Sequence, residues 1–254
     1  MRDLDVALEA VRAGGRVVAE SSPASGAEFK GAVNPVTEVD RAAEEAITEV
    51  LSRHRPTDAV LAEEGGGSGW DRGRVWIVDP LDGTVNYLHG IPQVAVSVAL
   101  WDDGEPLVGA VLDVFRDEVF SASAGAGATL AGSVIRVSDT ADLGDSLIAT
   151  GFPYDRRERA DVYTAVLGRV LSRVRGIRRI GSAALDLCWV ACGRFDGFWE
   201  FGLAPWDTAA ATLVLAEAGG RSSRADGSSW TPDRWDLVSS NGLIHDALAE
   251  IVRG

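Results

Sequence analysis

Protein nucleophiles and ligands for soft metals are scarce in this chain: among 254 residues there are 2 cysteines and 3 histidines. Cys188 and Cys192 lie four apart in a helical pattern, whereas a redox pair has two intervening residues, so they read as small buried side chains. His54, His89 and His245 show neither ligand nor triad spacing and are assigned to surface or packing roles. Basic residues are outnumbered, 24 against 38 acidic ones, for a net charge of −14. Phosphate-backbone binding needs a Lys/Arg surface, so nucleic acid is excluded as a main partner. No window approaches 18 uninterrupted apolar residues, and no membrane span is expected. The opening M-R-D-L-D-V-A-L-E-A places acids where a secretory signal would be basic and then apolar. The expectation is a cytoplasmic protein. P-loops, repeats, low-complexity tracts and linkers are also missing.

What the chain has instead is acid at the ends of apolar runs. Residues 74–92 read R-V-W-I-V-D-P-L-D-G-T-V-N-Y-L-H-G-I-P. Val75, Trp76, Ile77 and Val78 predict a fully buried strand with Asp79 at its end. Pro80 keeps Asp79 extended and bends the chain after it, which lets Asp79 and Asp82 point into one space. Gly83 permits close backbone approach to a ligand, and N–H groups in such a turn form an anion nest. Two carboxylates about 4 Å apart at an effective dielectric of about 20 repel by about 4 kcal/mol. Either a cation sits between them or one holds a proton. All-oxygen donors without cysteine favour Mg²⁺, Mn²⁺ or Ca²⁺ over zinc. A plain Asp-Pro-x-Asp-Gly surface turn accounts for the same six residues, so they leave both readings open.

The rest of the chain alternates. A first helix carries Leu4, Leu8, Val11, Val17 and Val18 and is expected to loosen at Gly14-Gly15. Residues 22 to 35 are loop-like and contain Lys30. A second helix runs from about Thr37 to before Pro56, with Asp40 in its first turn, where the helix dipole alone explains a carboxylate. Ala59 to Ala62 predicts a short strand ending in Glu63-Glu64. Those acids are either solvated loop charges or, if this strand neighbours the next, partners of Asp79. Val94 to Leu100, Leu107 to Val114 and Glu118 to Ala122 predict a meander. Gly125 to Gly132 reads as a turn, since its glycine spacing does not fit a dinucleotide fingerprint. Further on come a strand at 146–150, a helix at 157–174, a strand at 177–180 and a helix at 182–192 capped by Gly181-Ser182. A strand at 195–201 precedes an apolar helix at 205–218, where Asp207 is explained as a cap when taken alone. A strand at 236–240 and a helix at 243–252 close the chain. The pattern describes one α/β unit, a single domain over residues 1–254, with layered halves meeting near residue 135.

Several separated segments match one family in order. They are N-P-V-T-E-V-D (34–40), A-E-E-G (62–65), W-I-V-D-P-L-D-G-T-V-N-Y (76–87), R-I-G-S-A-A-L-D-L (179–187) and W-D-T-A-A-A-T-L-V-L-A-E-A-G-G (206–220). Together they resemble the inositol monophosphatase family of metal-dependent, lithium-sensitive phosphatases. The resemblance implies a five-layer α-β-α-β-α sugar-phosphatase fold shared with fructose-1,6-bisphosphatases, an α/β (α+β layered) class, and a homodimer. It makes Glu63, Asp79 and the Leu81 carbonyl ligands of one Mg²⁺, with Asp79, Asp82 and Asp207 holding a second. A third, weaker site would use Glu63 and water. Thr84, bonded to Asp40, would orient the attacking water together with Glu63, and the N–H groups of Gly83 and Thr84 would hold the phosphate. Gly181, Ser182, Ala183 and Glu200 match sugar-contacting positions, and Lys30 a basic residue of a lid loop. Ala62 replaces a commoner Gly and Leu81 a commoner Ile. An aromatic is missing after the glycines of 125–132, and the 65–69 loop is unusually rich in glycine.

The charges support this placement. Glu63, Asp79, Asp82 and Asp207 plus a phosphate monoester of roughly −2 sum to about −6, which two to three Mg²⁺ ions, or Mn²⁺, would neutralise. Phosphate monoesters need acceleration of up to ~10²¹, which bound metals supply by activating water, shielding the phosphate and stabilising the leaving alkoxide. The expected reaction is in-line attack of metal-activated water on a small phosphorylated polyol, inositol 1-phosphate being favoured. Histidinol phosphate, fructose 1,6-bisphosphate and adenosine 3′,5′-bisphosphate are the alternative substrates. A regulatory or metal-binding protein on the same fold is the rival class. Glu200 suits sugar hydroxyls but is also explained as a solvated strand end.

Overall fold

The computed structural model of the protein describes residues 1–21, 38–67 and 69–254, and the backbone pairing of residues 28–29 with 35–36. Apolar residues at helical spacing give α1 (Asp3–Glu20) a buried face of Val6, Ala7, Ala10, Val11 and Val18. The short strands β1 (Glu28–Phe29) and β2 (Pro35–Val36) pair antiparallel. Val39, Ala43, Ile47, Val50 and Leu51 bury one side of α2 (Glu38–His54), whose ends carry acids and bases that complement its dipole. The glycine pair expected to loosen α1 lies inside an unbroken helix. A methyl group on Gly14 would fall 2.7 Å from Ile47 Cδ1, and one on Gly15 would fall 2.3 Å from Leu112 Cδ2. These glycines let α1 close onto its neighbours, an effect of packing partners distant in sequence.

A seven-stranded sheet follows, in the order β3 to β9. β3 (Ala59–Ala62) runs parallel to β4 (Arg74–Asp82). After the single-turn α3 (Thr84–Leu88) come β5 (Ala95–Asp102), β6 (Glu105–Asp113), β7 (Glu118–Ser123), β8 (Ala128–Leu130) and β9 (Ser133–Val134), each antiparallel to the one before. Along β4, Trp76 and Val78 pack with the α1/α2 side while Val75 and Ile77 face the opposite core, so both faces of the sheet are covered.

The second sheet is assembled from β10 (Leu147–Thr150), β11 (Gly176–Arg178), β12 (Gly197–Phe201), β13 (Arg221–Ser223) and β14 (Asp236–Ser240), in the order 11-10-12-14-13. β10 is parallel to both β11 and β12. Between the sheets lie α5 (Ala183–Ala191) and α6 (Pro205–Glu217), both apolar nearly all round, as a helix buried on two sides must be. α4 (Ala160–Leu171) and α7 (His245–Arg253) cover the outer face. The result is the expected α-β-α-β-α stack of two mixed sheets. α6 reaches the first sheet at Gly109 of β6, where a methyl group would sit 2.5 Å from the Ala210 carbonyl oxygen.

Three details differ from the sequence expectations. β4 does not end at Asp79: it bulges between Asp79 and Asp82, since Pro80 has no N–H for the ladder, and resumes pairing at Asp82 with Ala95. α4 is shorter than 157–174 because its approach is tied down as a turn, with Asp155 accepting the Tyr163 hydroxyl at 2.6 Å. The 125–132 segment turns at Gly125 and Gly127, whose N–H groups each donate to the Glu217 carboxylate at 2.7 Å, but it also holds β8. β9 and β13 were too short to leave a periodic signal.

Candidate active site

Parallel strands of both sheets end at one cavity of about 400 Å³. Ligands in α/β folds gather at such carboxyl ends, where loops and helix N-termini leave backbone donors exposed. Asp82, Gly83 and Thr84 come from the end of β4 and the start of α3. Gly151 to Tyr154 follow β10, Arg179 and Gly181 to Ala183 follow β11, and Glu200, Gly202 and Leu203 come from β12 and its exit. Asp207, in the first turn of α6, completes the wall. Gly83, at φ +98°, and Gly181, at φ +91°, occupy the left-handed region, and a Cβ on Gly83 would meet the Gln93 carbonyl oxygen at 2.8 Å.

The acids are held by neutral donors. Asp82 Oδ2 accepts from Ser182 Oγ at 2.6 Å and from the Ala184 N–H at 2.8 Å. Ser182 Oγ in turn accepts from Leu185 N and so caps α5. Asp207 Oδ2 accepts from the Ala204 N–H at 2.7 Å, and Asp79 Oδ1 from the Leu81 N–H at 3.0 Å. The Thr84 hydroxyl lies 3.2 Å from Asp40 Oδ1 and 3.1 Å from the Leu81 carbonyl oxygen, so its one proton chooses between them. Asp40 is itself buried. Glu63 follows β3, its N–H donating to the Val78 carbonyl of β4.

Electrostatics show that four of these acids share a field. Burial holds Asp79 well above the usual carboxylate range, and the charges of Glu63, Asp82 and Asp207 push it further. Asp82 is raised to about 6 by burial, against the pull of Ser182, the Ala184 and Ala183 N–H groups and Arg179. Burial and then the Asp82 charge raise Asp207 to about 8. Among the described residues no three Asp, Glu, His or Cys side chains are gathered tightly enough to chelate an ion as they stand. The donor set nevertheless fits a hard divalent cation: it is all oxygen, Asp79 is only 1% exposed, and its bond to the Leu81 N–H eases its ionisation against burial and three neighbouring acids.

Glu200 reaches the cavity and is raised to about 8 by burial, opposed by Arg179. Gly151 makes room for it: a methyl group there would overlap the Glu200 carboxylate at 2.1 Å. Gly151, Tyr154, Arg156, Arg179 and Asp186 line the cavity but were not singled out from sequence. Tyr154 is raised by desolvation and by the Glu63, Asp207, Asp82 and Asp79 charges, so it lies within the field of all four acids. A usable signal was the G-F-P-Y run directly after a predicted strand. Asn86 is a positioning residue, its side-chain amide donating to the Gln93 and Ile180 carbonyls at 2.8 and 2.7 Å and tying α3 to the loop before α5. Lys30 lies outside the described residues. Glu64 is engaged elsewhere, its N–H donating to Glu44 on α2. Cys188 is buried and burial pushes its thiol up, which makes it inert.

Five layers and an acid-walled cavity at converging strand ends define a phosphoric monoester hydrolase of the layered sugar-phosphatase class. Residues 2–254 match the inositol monophosphatase family. The chain is 45% identical to an inositol-1-monophosphatase of Rhizobium meliloti over 226 residues, covering 89% of this chain and 85% of that protein. It is 41% identical to Nus factor SuhB of Pseudomonas aeruginosa over 258 residues, covering 98% and 95%. The solved inositol monophosphatase from Anabaena (Nostoc) sp. PCC 7120 superposes with a TM-score of 0.90 at 42% identity, over 99% of this chain and 95% of that one. The chain belongs to the inositol monophosphatase family, whose members are generally metal-dependent. Among the described residues no helix is long and apolar enough to cross a membrane.

Proposed function

We propose that the protein is a Mg²⁺-dependent phosphomonoesterase that releases phosphate from a small polyol phosphate, with inositol 1-phosphate the favoured substrate. The observation that carries this reading is Asp79, a buried carboxyl pressed upwards by desolvation and by three other acids. Glu63, Asp79, Asp82, Asp207 and the Leu81 carbonyl would hold two to three Mg²⁺ ions, with Mn²⁺ as a substitute. Once bound, the ions supply charge neutralisation, an activated water and stabilisation of the leaving oxygen.

The chain's own groups then divide the remaining work. Thr84, held by Asp40, and Glu63 orient the water and take its proton. The N–H groups of Gly83 and Thr84 bind the phosphate. Gly181, Ser182, Ala183 and Glu200 contact the alcohol. We further assign the chain to a single domain of two halves, about 1–135 and 136–254, acting as a lithium-sensitive cytoplasmic homodimer. The relatives named Nus factor SuhB favour one second reading, a regulatory role on the same fold.

The test is phosphate release from inositol 1-phosphate, histidinol phosphate, fructose 1,6-bisphosphate and adenosine 3′,5′-bisphosphate with and without Mg²⁺. Turnover that requires Mg²⁺ and favours the inositol ester supports the reading. Mg²⁺ binding without phosphate release from any of the four would leave the regulatory one.

A further inference from the structure

Asp186 sits in the first turn of α5, a helix whose other residues there, Ala183, Ala184, Leu185, Leu187 and Cys188, are buried and apolar. It is 1% exposed, lines the cavity, and its Oδ1 has no hydrogen-bond partner. Asp82 and Asp207 both receive protein donors, so Asp186 differs from them. Leaving a buried carboxyl oxygen unpaired costs about 1–3 kcal/mol, and most buried polar groups avoid it. Packing offers no return for that cost, since a leucine or alanine at 186 would continue the apolar seam. A return from a ligand is left.

Position defines what that ligand offers. Asp186 lies four residues after Ser182, hence one helical turn, about 5.4 Å, beyond the group that binds Asp82. It lines the same cavity as Glu200, the residue proposed above to contact the alcohol, and in that reading it stands with the alcohol. Burial holds its carboxyl well above the ordinary range, helped by the Glu200 and Asp82 charges and opposed by Arg179. A neutral acid both donates and accepts, which suits a hydroxyl and not a second phosphate. We propose that Asp186 is a specificity-determining residue that exchanges hydrogen bonds with a hydroxyl of the leaving alcohol and so selects esters of polyhydroxylated alcohols. The assignment rests on the phosphatase reading above.

The experiment uses the full chain with Mg²⁺ and two substrates, inositol 1-phosphate and the hydroxyl-free ester phenyl phosphate. Asp186→Leu is expected to lower kcat/KM for inositol 1-phosphate roughly 10- to 100-fold, mostly through KM. Phenyl phosphate turnover should change less than about threefold, and Asp186→Asn, which keeps a donor and an acceptor, should retain most activity on both. If Asp186→Leu does not fold, Asp186→Ala against Asp186→Asn reads the same split. Equal losses on both substrates, or none on either, would overturn the assignment while leaving the phosphatase reading intact. No phosphate release from either substrate by the unaltered protein would instead remove the phosphatase reading, and this assignment with it.

Discussion

Two sets of buried ionisable groups can be compared directly. In the outer layer, His245 is fully buried with Nε2 2.7 Å from Ser223 Oγ and Nδ1 3.0 Å from Ser240 Oγ. One nitrogen donates and the other accepts, so a neutral ring is satisfied, and burial followed by the Arg221 charge pushes it down to about 4. Around the cavity, Asp79 is as deeply placed, and burial with the Glu63, Asp82 and Asp207 charges pushes it up. The half-buried Asp82 and Asp207 are also pushed up by desolvation, with the Asp82 charge adding to it at Asp207. Both sets are desolvated. They differ in that His245 has its ideal partners within the chain, whereas the acids have a demand for positive charge that the chain does not meet. The first arrangement is structural and the second awaits a ligand.

The comparison can be broken hardest at the acid wall. Asp79→Asn or Asp82→Asn should cut Mg²⁺-dependent turnover by roughly a thousandfold or more in a steady-state assay. Asp79→Asn should also raise the melting temperature of the metal-free protein, because it removes a repelled charge. The sign follows from linkage. A carboxyl raised above its unfolded value stabilises the fold fully below about pH 4 and loses that stability as pH rises through about 6 for Asp82 and about 8 for Asp207. Metal-free melting points should therefore fall over that range, and saturating Mg²⁺ should restore them.

His245 should show the opposite sign. Its folded value lies below its unfolded one, so its contribution is complete above about pH 6.5 and lost towards pH 4, by about 3 kcal/mol. In denaturant melts, the stability difference between the unaltered protein and His245→Ala should shrink by about that amount as pH falls through that window, the acids' contribution being common to both. A smaller effect is expected at Gly151→Ala, whose methyl group displaces Glu200: KM for inositol 1-phosphate should rise roughly tenfold with kcat little changed. Smallest of all, Trp76→Phe loses the indole N–H donated to Asp58 at 3.1 Å and should cost about 1 kcal/mol in a melt, without altering turnover.

Chemistry that lies next to a strand end was legible in the sequence. Glu63, Asp79 and Asp82 stand out because apolar runs stop at them, and Pro80 signals a departure from regular pairing even though the departure is a bulge. Asp207 was ambiguous, since an acid in the first turn of α6 also bonds its own helix start. Gly14 and Gly15 misled because the reason for them is Ile47 and Leu112, distant in the chain. Gly151 was marked only by its place after a strand, and Asp186 by nothing local: a missing methyl group opposite Glu200 and an unpartnered oxygen are properties of assembled space. The layer order was readable from the alternation of elements, as was the three-residue β11, whereas β8, β9 and β13 were not.

The contact between α6 and Gly109 sets a gauge. Asp207 rides on a helix whose backbone rests against the sheet that carries Asp79, with only a hydrogen atom as spacer. Any bulkier residue at 109 would act as a shim, tilting one jaw of the acid clamp away from the other although it touches neither. The tolerance of the catalytic centre is thus machined into the sheet at a residue that no reagent in the cavity ever meets.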